Sequence, residues 1–166
     1  MRSKRGTVAP IRNIVFAVLA VLALTGAPAF ACVGKVVGVT DGDTIMVLCD
    51  GVETKVRLNQ IDTPERGQAF GSKAKEVLSN LVFKRTVRLE IVDTDRYGRA
   101  VATVWVGEMN ANREMVRLGF AWAYRKYLQD QTLIEVEAEA KASRRGLWAD
   151  PNPIPPWEFR KAKRAS

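Results

Sequence analysis

Two kinds of hydrophobic spacing alternate along the chain. Runs rich in β-branched residues, several of them alternating with polar residues, predict short strands before residue 62 and again between 86 and 106. The five predicted strands are Val33–Thr40, Thr44–Cys49, Glu53–Ile61, Thr86–Val92 and Arg99–Val106. An Asp-Gly pair follows each of the first two strands, and this pair is typical of tight hairpin turns.

The spacing becomes helical after the third strand. Apolar residues from Phe70 to Leu81 fall at positions i, i+4, i+7, i+8 and i+11, which lie on one face of a helix. After the fifth strand, Asn112 is the expected N-cap of a second, short helix that ends at Gly119. A third helix is expected over Leu133–Arg145.

Two local signals delimit that third helix. Thr132 and Glu135 have the spacing of a capping box, and Gly146 provides a stop. Four prolines between 151 and 156, followed by a basic end, predict an irregular tail over residues 151–166. The element order is therefore β-β-β-α-β-β-α-α. This order fits an α+β fold, a five-stranded OB-fold barrel with three α-helices, and such barrels commonly bind oligonucleotides or oligosaccharides.

Residues 1–31 have the layout of a secretory signal peptide. A basic opening precedes eleven apolar residues, Ile14–Leu24, and Ala29-Phe30-Ala31 fits a cleavage site. The apolar run is shorter than the ~20 residues that span a membrane. We expect export to the periplasm or the extracellular space, with the folded domain over residues 32–150. An uncleaved anchor and a lipid on Cys32 are the alternatives.

Cys32 and Cys49 flank the first predicted hairpin. In an oxidising compartment they are expected to form a disulfide across it, with two buried free thiols as the alternative. The closed loop of about 16 residues would stabilise the fold by ~3 kcal/mol.

Composition narrows the chemistry that this chain can perform. The 166 residues include no histidine, which excludes Ser-His-Asp triads, Cys-His pairs and HExxH zinc sites. The net charge of +8 suggests a polyanionic partner. However, residues 1–31 and 160–166 carry four basic residues each and no acidic ones, which leaves 18 of each sign between them. The positions of individual charges therefore say more than the total.

Three polar motifs interrupt the predicted elements, and each has a purely structural explanation. Asp41-Gly42-Asp43-Thr44 is a hairpin turn or a carboxylate site for a hard cation. In Arg57–Glu65 the end of the motif resembles a helix start, but Arg57 lies on the strand face of Ile61, where a guanidinium needs an anion. Asp93–Arg99 is a solvated loop, or a tyrosine and two arginines that suit a phosphate and a stacked base.

Taken together, the series D-G-D-T, R-L-x-x-I-D-T-P-E, D-R-Y-G-R and G-L-W resembles that of the staphylococcal nuclease (thermonuclease) family. The resemblance extends from Val33 to about Trp148. It implies an OB-fold barrel with three helices and a Ca²⁺-dependent phosphodiesterase site. By motif position, it implies that the Asp43 and Asp62 carboxylates and the Thr63 carbonyl bind calcium. Such oxygen ligands are those that Ca²⁺ prefers.

The resemblance also implies catalytic and substrate-binding roles. Glu65 would be the general base, and Arg57 and Arg99 would neutralise the reacting phosphate. Arg96, Tyr97 and Tyr124 would bind the nucleotide. Three tryptophans are instead expected to pack the fold: Trp122, Trp148 and Trp157.

The leading prediction is an exported, Ca²⁺-dependent endonuclease that cleaves DNA and RNA with low sequence selectivity and leaves 3′-phosphates. We expect a monomer without stable membrane association once the signal peptide is removed. The main alternative is a non-catalytic module that binds nucleic acid or protein. Such a module is expected to have lost part of the polar set, yet the set is complete: Asp43, Arg57, Asp62, Glu65 and Arg99. A third possibility is an anchored surface protein that binds other polyanions.

Overall fold

The computed structural model describes residues 31–165, so the predicted signal peptide lies outside it except for Ala31. No helix within residues 31–165 has the length and apolar character needed to cross a membrane. The strands are β1 (Ala31–Val39), β2 (Thr44–Cys49), β3 (Val52–Leu58), β4 (Ile61–Asp62), β5 (Thr86–Thr94), β6 (Ala100–Val106), β7 (Met109–Asn110) and β8 (Trp122–Ala123). The α-helices are α1 (Gly71–Val82), α2 (Ala111–Arg117), α3 (Thr132–Ala142) and α4 (Pro156–Ala165).

Five strands form a closed barrel in the order β3-β2-β1-β5-β6. Neighbours in this order are antiparallel, and a parallel pairing of β3 with β6 closes the barrel. The short strand β7 pairs antiparallel with the end of β6, and β4 pairs with β8 in a separate two-stranded sheet. The predicted five-stranded barrel and the order of its elements are confirmed, and a fourth α-helix is added.

The barrel interior is filled by apolar side chains of the strands. Val47, Leu58 and Leu89 are fully buried in one continuous core. Burying a side chain of this size contributes roughly 1.5–3 kcal/mol. Helix α1 covers the barrel with the face predicted from its apolar spacing, and Ala74 and Leu78 on that face are fully buried.

Helix α2 begins two residues earlier than predicted, and its cap is a different residue. The side chain of Asn110, not Asn112, accepts the hydrogen bond from the Arg113 amide. Asn112 is buried, and its side chain bonds to three backbone groups: the Val104 amide and the carbonyls of Asn59 and Ala102. The prediction of Asn112 as N-cap was wrong because three long-range bonds use both ends of its amide.

Helix α3 lacks the predicted capping box. Gln131 is its N-cap residue and makes no side-chain cap bond, while the Asp130 carboxylate accepts bonds from the Thr132 amide and hydroxyl. The helix ends at Ala142 rather than Arg145. A nearby carboxylate thus replaces the reciprocal bond expected of Glu135.

The prediction of an irregular tail after residue 151 was wrong over Pro156–Ala165, which form helix α4. Proline is well tolerated in the first turn of a helix, where its missing N–H has no helical acceptor. Pro156 is the first residue of α4 and Glu158 lies in its first turn, where a carboxylate is favoured. The earlier prolines of this segment therefore interrupt regular structure, and Pro156 begins a helix.

The predicted disulfide is present between Cys32 and Cys49, with the two Cα atoms 6.0 Å apart. Both residues pack against the hydrophobic core. We expect Cys32→Ser with Cys49→Ser to lower the free energy of unfolding by about 3 kcal/mol, since the bridge restricts the unfolded chain. Urea unfolding of the oxidised protein and the double variant measures this difference. Equal midpoints would contradict it.

Candidate active site

The predicted polar motifs converge on a groove of about 1060 Å³ at one end of the barrel. The β1–β2 loop supplies Asp41 and Asp43, the end of β3 supplies Arg57, and β4 supplies Asp62. The β5–β6 loop also lines the groove. Thus segments that are separate in sequence come together around one groove.

The β1–β2 loop is held to the rest of the site by backbone contacts. The Asp43 carbonyl accepts a 2.8 Å bond from the Leu58 amide. A Cβ atom at Gly42 would lie 2.7 Å from the Thr63 hydroxyl oxygen and 2.9 Å from the Ala74 Cβ. Because glycine has no such atom, the loop packs directly against Thr63 and α1 and buries Asp43.

Strand β4 fixes the position of Asp62 and of the segment that carries Tyr124. The third predicted strand does not run to Ile61, since β3 ends at Leu58 and a turn precedes β4. Asp62 pairs with Trp122 in the β4–β8 ladder. The Tyr124 amide continues this contact with a 2.8 Å bond to the Gln60 carbonyl. The predicted nucleotide-binding tyrosine is therefore placed beside the carboxylates.

Arg57 lies at the centre of the carboxylate cluster, as its unusual strand position suggested. Its Nη2 atom is 3.3 Å from Asp43 Oδ2 and 3.1 Å from Asp62 Oδ1. The guanidinium also donates to the carbonyls of Leu58 and Ile61 at 2.9 and 3.0 Å. The anion required by this poorly exposed guanidinium is thus provided by two carboxylates.

Two carboxyl groups in the cluster have raised pKa values. Burial raises the pKa of Asp62, and the negative charge of Asp43 adds to this effect, while Arg160 and Arg57 oppose it. Burial, followed by the charge of Asp43, raises the pKa of Asp41 to about 6. Burial is the largest cause of both shifts, and repulsion from the Asp43 carboxylate adds to it.

A pH-dependent gain in stability is expected for Asp41→Asn. An acid with a raised native pKa binds its proton more tightly when folded, so its contribution to stability falls as the pH rises from about 4 to about 6. Without divalent cations, the variant should be more stable than the wild type by roughly 1–2 kcal/mol at pH 7.5, and equally stable near pH 4. Urea unfolding in chelator measures both values. A difference independent of pH would contradict the expectation.

Arg99 reaches the groove from the start of β6. Its Nε donates to Asp95 Oδ2 at 2.7 Å, and its Nη1 lies 3.5 Å from the Thr44 hydroxyl. Although burial raises the pKa of Asp95, bonds from Arg99 and from backbone amides outweigh it, and the pKa is lowered. Arg99 therefore lies near the carboxylate cluster without contacting Asp43 or Asp62.

Arg96 and Tyr97 lie on the outer rim of the groove. Arg96 donates to the Tyr97 hydroxyl at 2.7 Å, and its guanidinium carbon is 4.8 Å from the ring centroid. Arg99 approaches the same ring at 5.5 Å. With 67% of Tyr97 exposed, this group is open to a ligand in the groove.

Glu65 lies in the irregular segment between β4 and α1. Its amide donates to the Gln68 side chain at 3.0 Å. The helix start suggested by the sequence at Thr63 is not formed, because α1 begins only at Gly71. The carboxylate of Glu65 remains 38% exposed and contacts Arg160 at 2.6 Å.

Arg160 was not among the predicted site residues, yet it contacts two of them. Its Nη2 lies 2.6 Å from Asp62 Oδ2, and its Nη1 lies 2.6 Å from Glu65 Oε1. Burial lowers the pKa of Arg160, but the bonds to Asp62 and Glu65 outweigh this effect and raise it. Only a tertiary contact of α4 creates this ion pair, so no local pattern predicted it.

Trp157 stacks on Tyr124 with ring centroids 5.6 Å apart and planes 9° from parallel. Trp122 and Trp148 pack edge-to-face, as expected of structural residues. Trp157 also packs, at 6.4 Å from Trp122, but unlike the prediction it lines the groove. The sequence Pro-Trp-Glu is typical of a helix start, and this signal could have predicted the helix that carries Trp157.

The donor set fits a hard cation rather than a transition metal. Asp43, Asp62 and Thr63 are buried and offer oxygen atoms, which Ca²⁺ prefers. Within the described residues, no three acidic or cysteine side chains already have metal-binding spacing. Arg57 and Arg160 contact the carboxylates instead. Cation binding would therefore require these side chains to adjust.

Comparisons with known proteins identify the family of the chain. Residues 55–150 match the family model described as "Staphylococcal nuclease homologue". The chain belongs to this family. It is 45% identical to "Protein ParB" of Escherichia coli, with 87% of this chain and 88% of the relative covered.

Two further relatives carry nuclease names. "Micrococcal nuclease" of Shigella flexneri is 43% identical, and the alignment covers 87% of this chain and 90% of the relative. An "Uncharacterized endonuclease" of Haemophilus influenzae is 45% identical, with 78% and 74% covered. The resemblance inferred from the motifs is thereby confirmed at the level of the family.

Proposed function

We propose that the protein is an exported, Ca²⁺-dependent nuclease that hydrolyses phosphodiester bonds of DNA and RNA with low sequence selectivity and leaves 3′-phosphates. The observation that carries this proposal is the cluster around Arg57, in which Asp43 and Asp62 share one guanidinium at the floor of the groove. A merely structural loop has no need of two buried carboxylates around a poorly exposed arginine.

The names of the relatives support nuclease activity. Two of them are named micrococcal nuclease and endonuclease, and both align with most of this chain. The predicted residues of this chain are complete, including Glu65 and Arg99. A retired site has no reason to retain all of them in one groove, which favours the enzyme over the binding module.

Each group has a task that its chemistry suits. Asp43, Asp62 and the Thr63 carbonyl would hold Ca²⁺, which would neutralise developing negative charge on the phosphate. Glu65 is partly exposed and accessible from the groove, so its carboxylate would orient a water molecule and accept its proton. Arg57 and Arg99 would bind the phosphate oxygens through charge-assisted hydrogen bonds.

The groove also accounts for low selectivity. Arg96 and Tyr97 offer a charge and an aromatic face on its rim, and Tyr124 offers a second ring. Phosphate contacts carry no sequence information, and stacking tolerates every base. We propose a monomer that acts outside the cytoplasm, consistent with the signal-like sequence and with the disulfide.

Product analysis tests this function. Purified protein is incubated with a labelled single-stranded DNA and with an RNA in Ca²⁺, and the fragments are then treated with a 3′-phosphatase. Fragments from both substrates whose mobility changes after that treatment are expected. Retained binding without any cleavage would instead favour the non-catalytic module, and fragments with 5′-phosphates would contradict the proposed 3′-phosphate products.

A further inference from the structure

Helix α4 covers the part of the groove that the proposed reaction needs. It begins after the proline-rich segment, and both Trp157 and Arg160 line the groove. The residues just before the helix are also held in place, because the Gln68 side chain donates a 2.6 Å hydrogen bond to the Ile154 carbonyl. This bond ties the start of α4 to the segment that contains Glu65.

The first contact of α4 neutralises the acidic side chains of the site. Arg160 spans Asp62 and Glu65 with two 2.6 Å bonds, and a third, 3.3 Å bond reaches Asp62 Oδ1. Arg57 contacts that same oxygen from the other side. Both oxygens of Asp62 are therefore bonded to guanidinium groups. A cation at this carboxylate would have to approach a fixed positive charge.

The second contact occupies an aromatic face. Trp157 lies nearly parallel to Tyr124, in the geometry that a nucleotide base would take on the same ring. Tyr127 packs against Tyr124 in an edge-to-face arrangement, with the two ring centroids 5.2 Å apart. One helix thus contacts the proposed metal ligand, the proposed base and the proposed stacking residue.

We propose that α4 is an intramolecular competitor of cation and nucleic acid: Arg160 occupies the proposed cation ligand Asp62 and the proposed base Glu65, and Trp157 occupies the face of Tyr124 on which a base would stack. This inference rests on the proposed function. Substrate and Ca²⁺ bind in exchange for α4, which moves away from the groove. Free protein is thereby kept in a closed form with its carboxylates paired.

Calcium binding measured without substrate tests the proposal. A charge within ~4–6 Å changes the proton affinity of a carboxylate roughly 10- to 1000-fold. We therefore expect Arg160→Gln to tighten Ca²⁺ binding by about tenfold in isothermal titration calorimetry. Lys161→Gln is the matched control, since it removes the same charge from an exposed position of α4. It should leave the affinity unchanged.

Hydrogen exchange gives a second readout on the wild-type protein. Saturating Ca²⁺ should speed exchange of the α4 amides while exchange in the barrel strands stays constant. Two results would overturn the proposal that α4 is a competitor: unchanged or weaker Ca²⁺ binding by Arg160→Gln, or slower hydrogen exchange of the α4 amides in Ca²⁺. Either result would leave the proposed nuclease activity unaffected. If neither protein binds Ca²⁺, the competitor and the calcium requirement both fail.

Discussion

Glu65→Gln should lower the rate of Ca²⁺-dependent cleavage by about 10²–10⁴-fold, the usual contribution of a positioned general base. The amide has nearly the same shape but cannot accept the proton of the attacking water. Because Glu65 is partly exposed, the change should have little effect on folding. Single-turnover cleavage of a fluorescent single-stranded DNA, together with the unfolding midpoint, measures both effects.

Glu76→Gln is the matched control for this variant. Glu76 is exposed on α1 and pairs with Lys73, so the activity of this variant should equal that of the wild type. If Glu65→Gln retains full activity, Glu65 is not the base and the proton must be accepted elsewhere.

Arg57→Ala should impair both activity and stability. Asp43 and Asp62 would lose a shared partner in a poorly exposed site, and a buried charge without its partner is costly. We expect the free energy of unfolding to fall by roughly 3 kcal/mol, at the low end for a broken buried pair because Arg160 still contacts Asp62. Loss of a phosphate-binding guanidinium should lower cleavage by roughly 10²-fold or more.

Arg57→Lys separates the two effects. It restores a positive charge but not the planar fork that binds two partners at once. Stability should therefore recover more than activity does. Wild-type stability and cleavage in Arg57→Ala would show that the cluster around Arg57 is neither a structural nor a functional centre.

The sequence predicted those elements whose hydrophobic pattern is set by local structure or by burial in the barrel core. The spacing of Ala74 and Leu78 predicted α1, because a helix over a barrel must bury one face. The elements that were predicted wrongly depend on tertiary contacts. Asn112 is used by distant backbone groups, and α4 is held by Trp157 and Arg160 against residues far away in the chain.

The candidate site was predictable where short motifs contain its charges. Arg57 was conspicuous because a guanidinium on a buried strand face requires an anion, and the structure supplies Asp43 and Asp62. Asp41 was missed because an Asp-Gly turn explains it without any charge coupling. Arg160 was missed because a basic tail resembles a solvated end until the position of α4 is known.

The dependence of cleavage on Ca²⁺ tests the central claim most directly. Purified wild-type protein is incubated with single-stranded DNA in chelator, and free Ca²⁺ is then raised stepwise while Asp62→Asn is followed in parallel. We predict no cleavage in chelator, saturable cleavage with Ca²⁺, and a much weaker Ca²⁺ response in the variant, because Asp62 is a proposed ligand. Undiminished cleavage in chelator, or no cleavage at any Ca²⁺ concentration, would contradict the account.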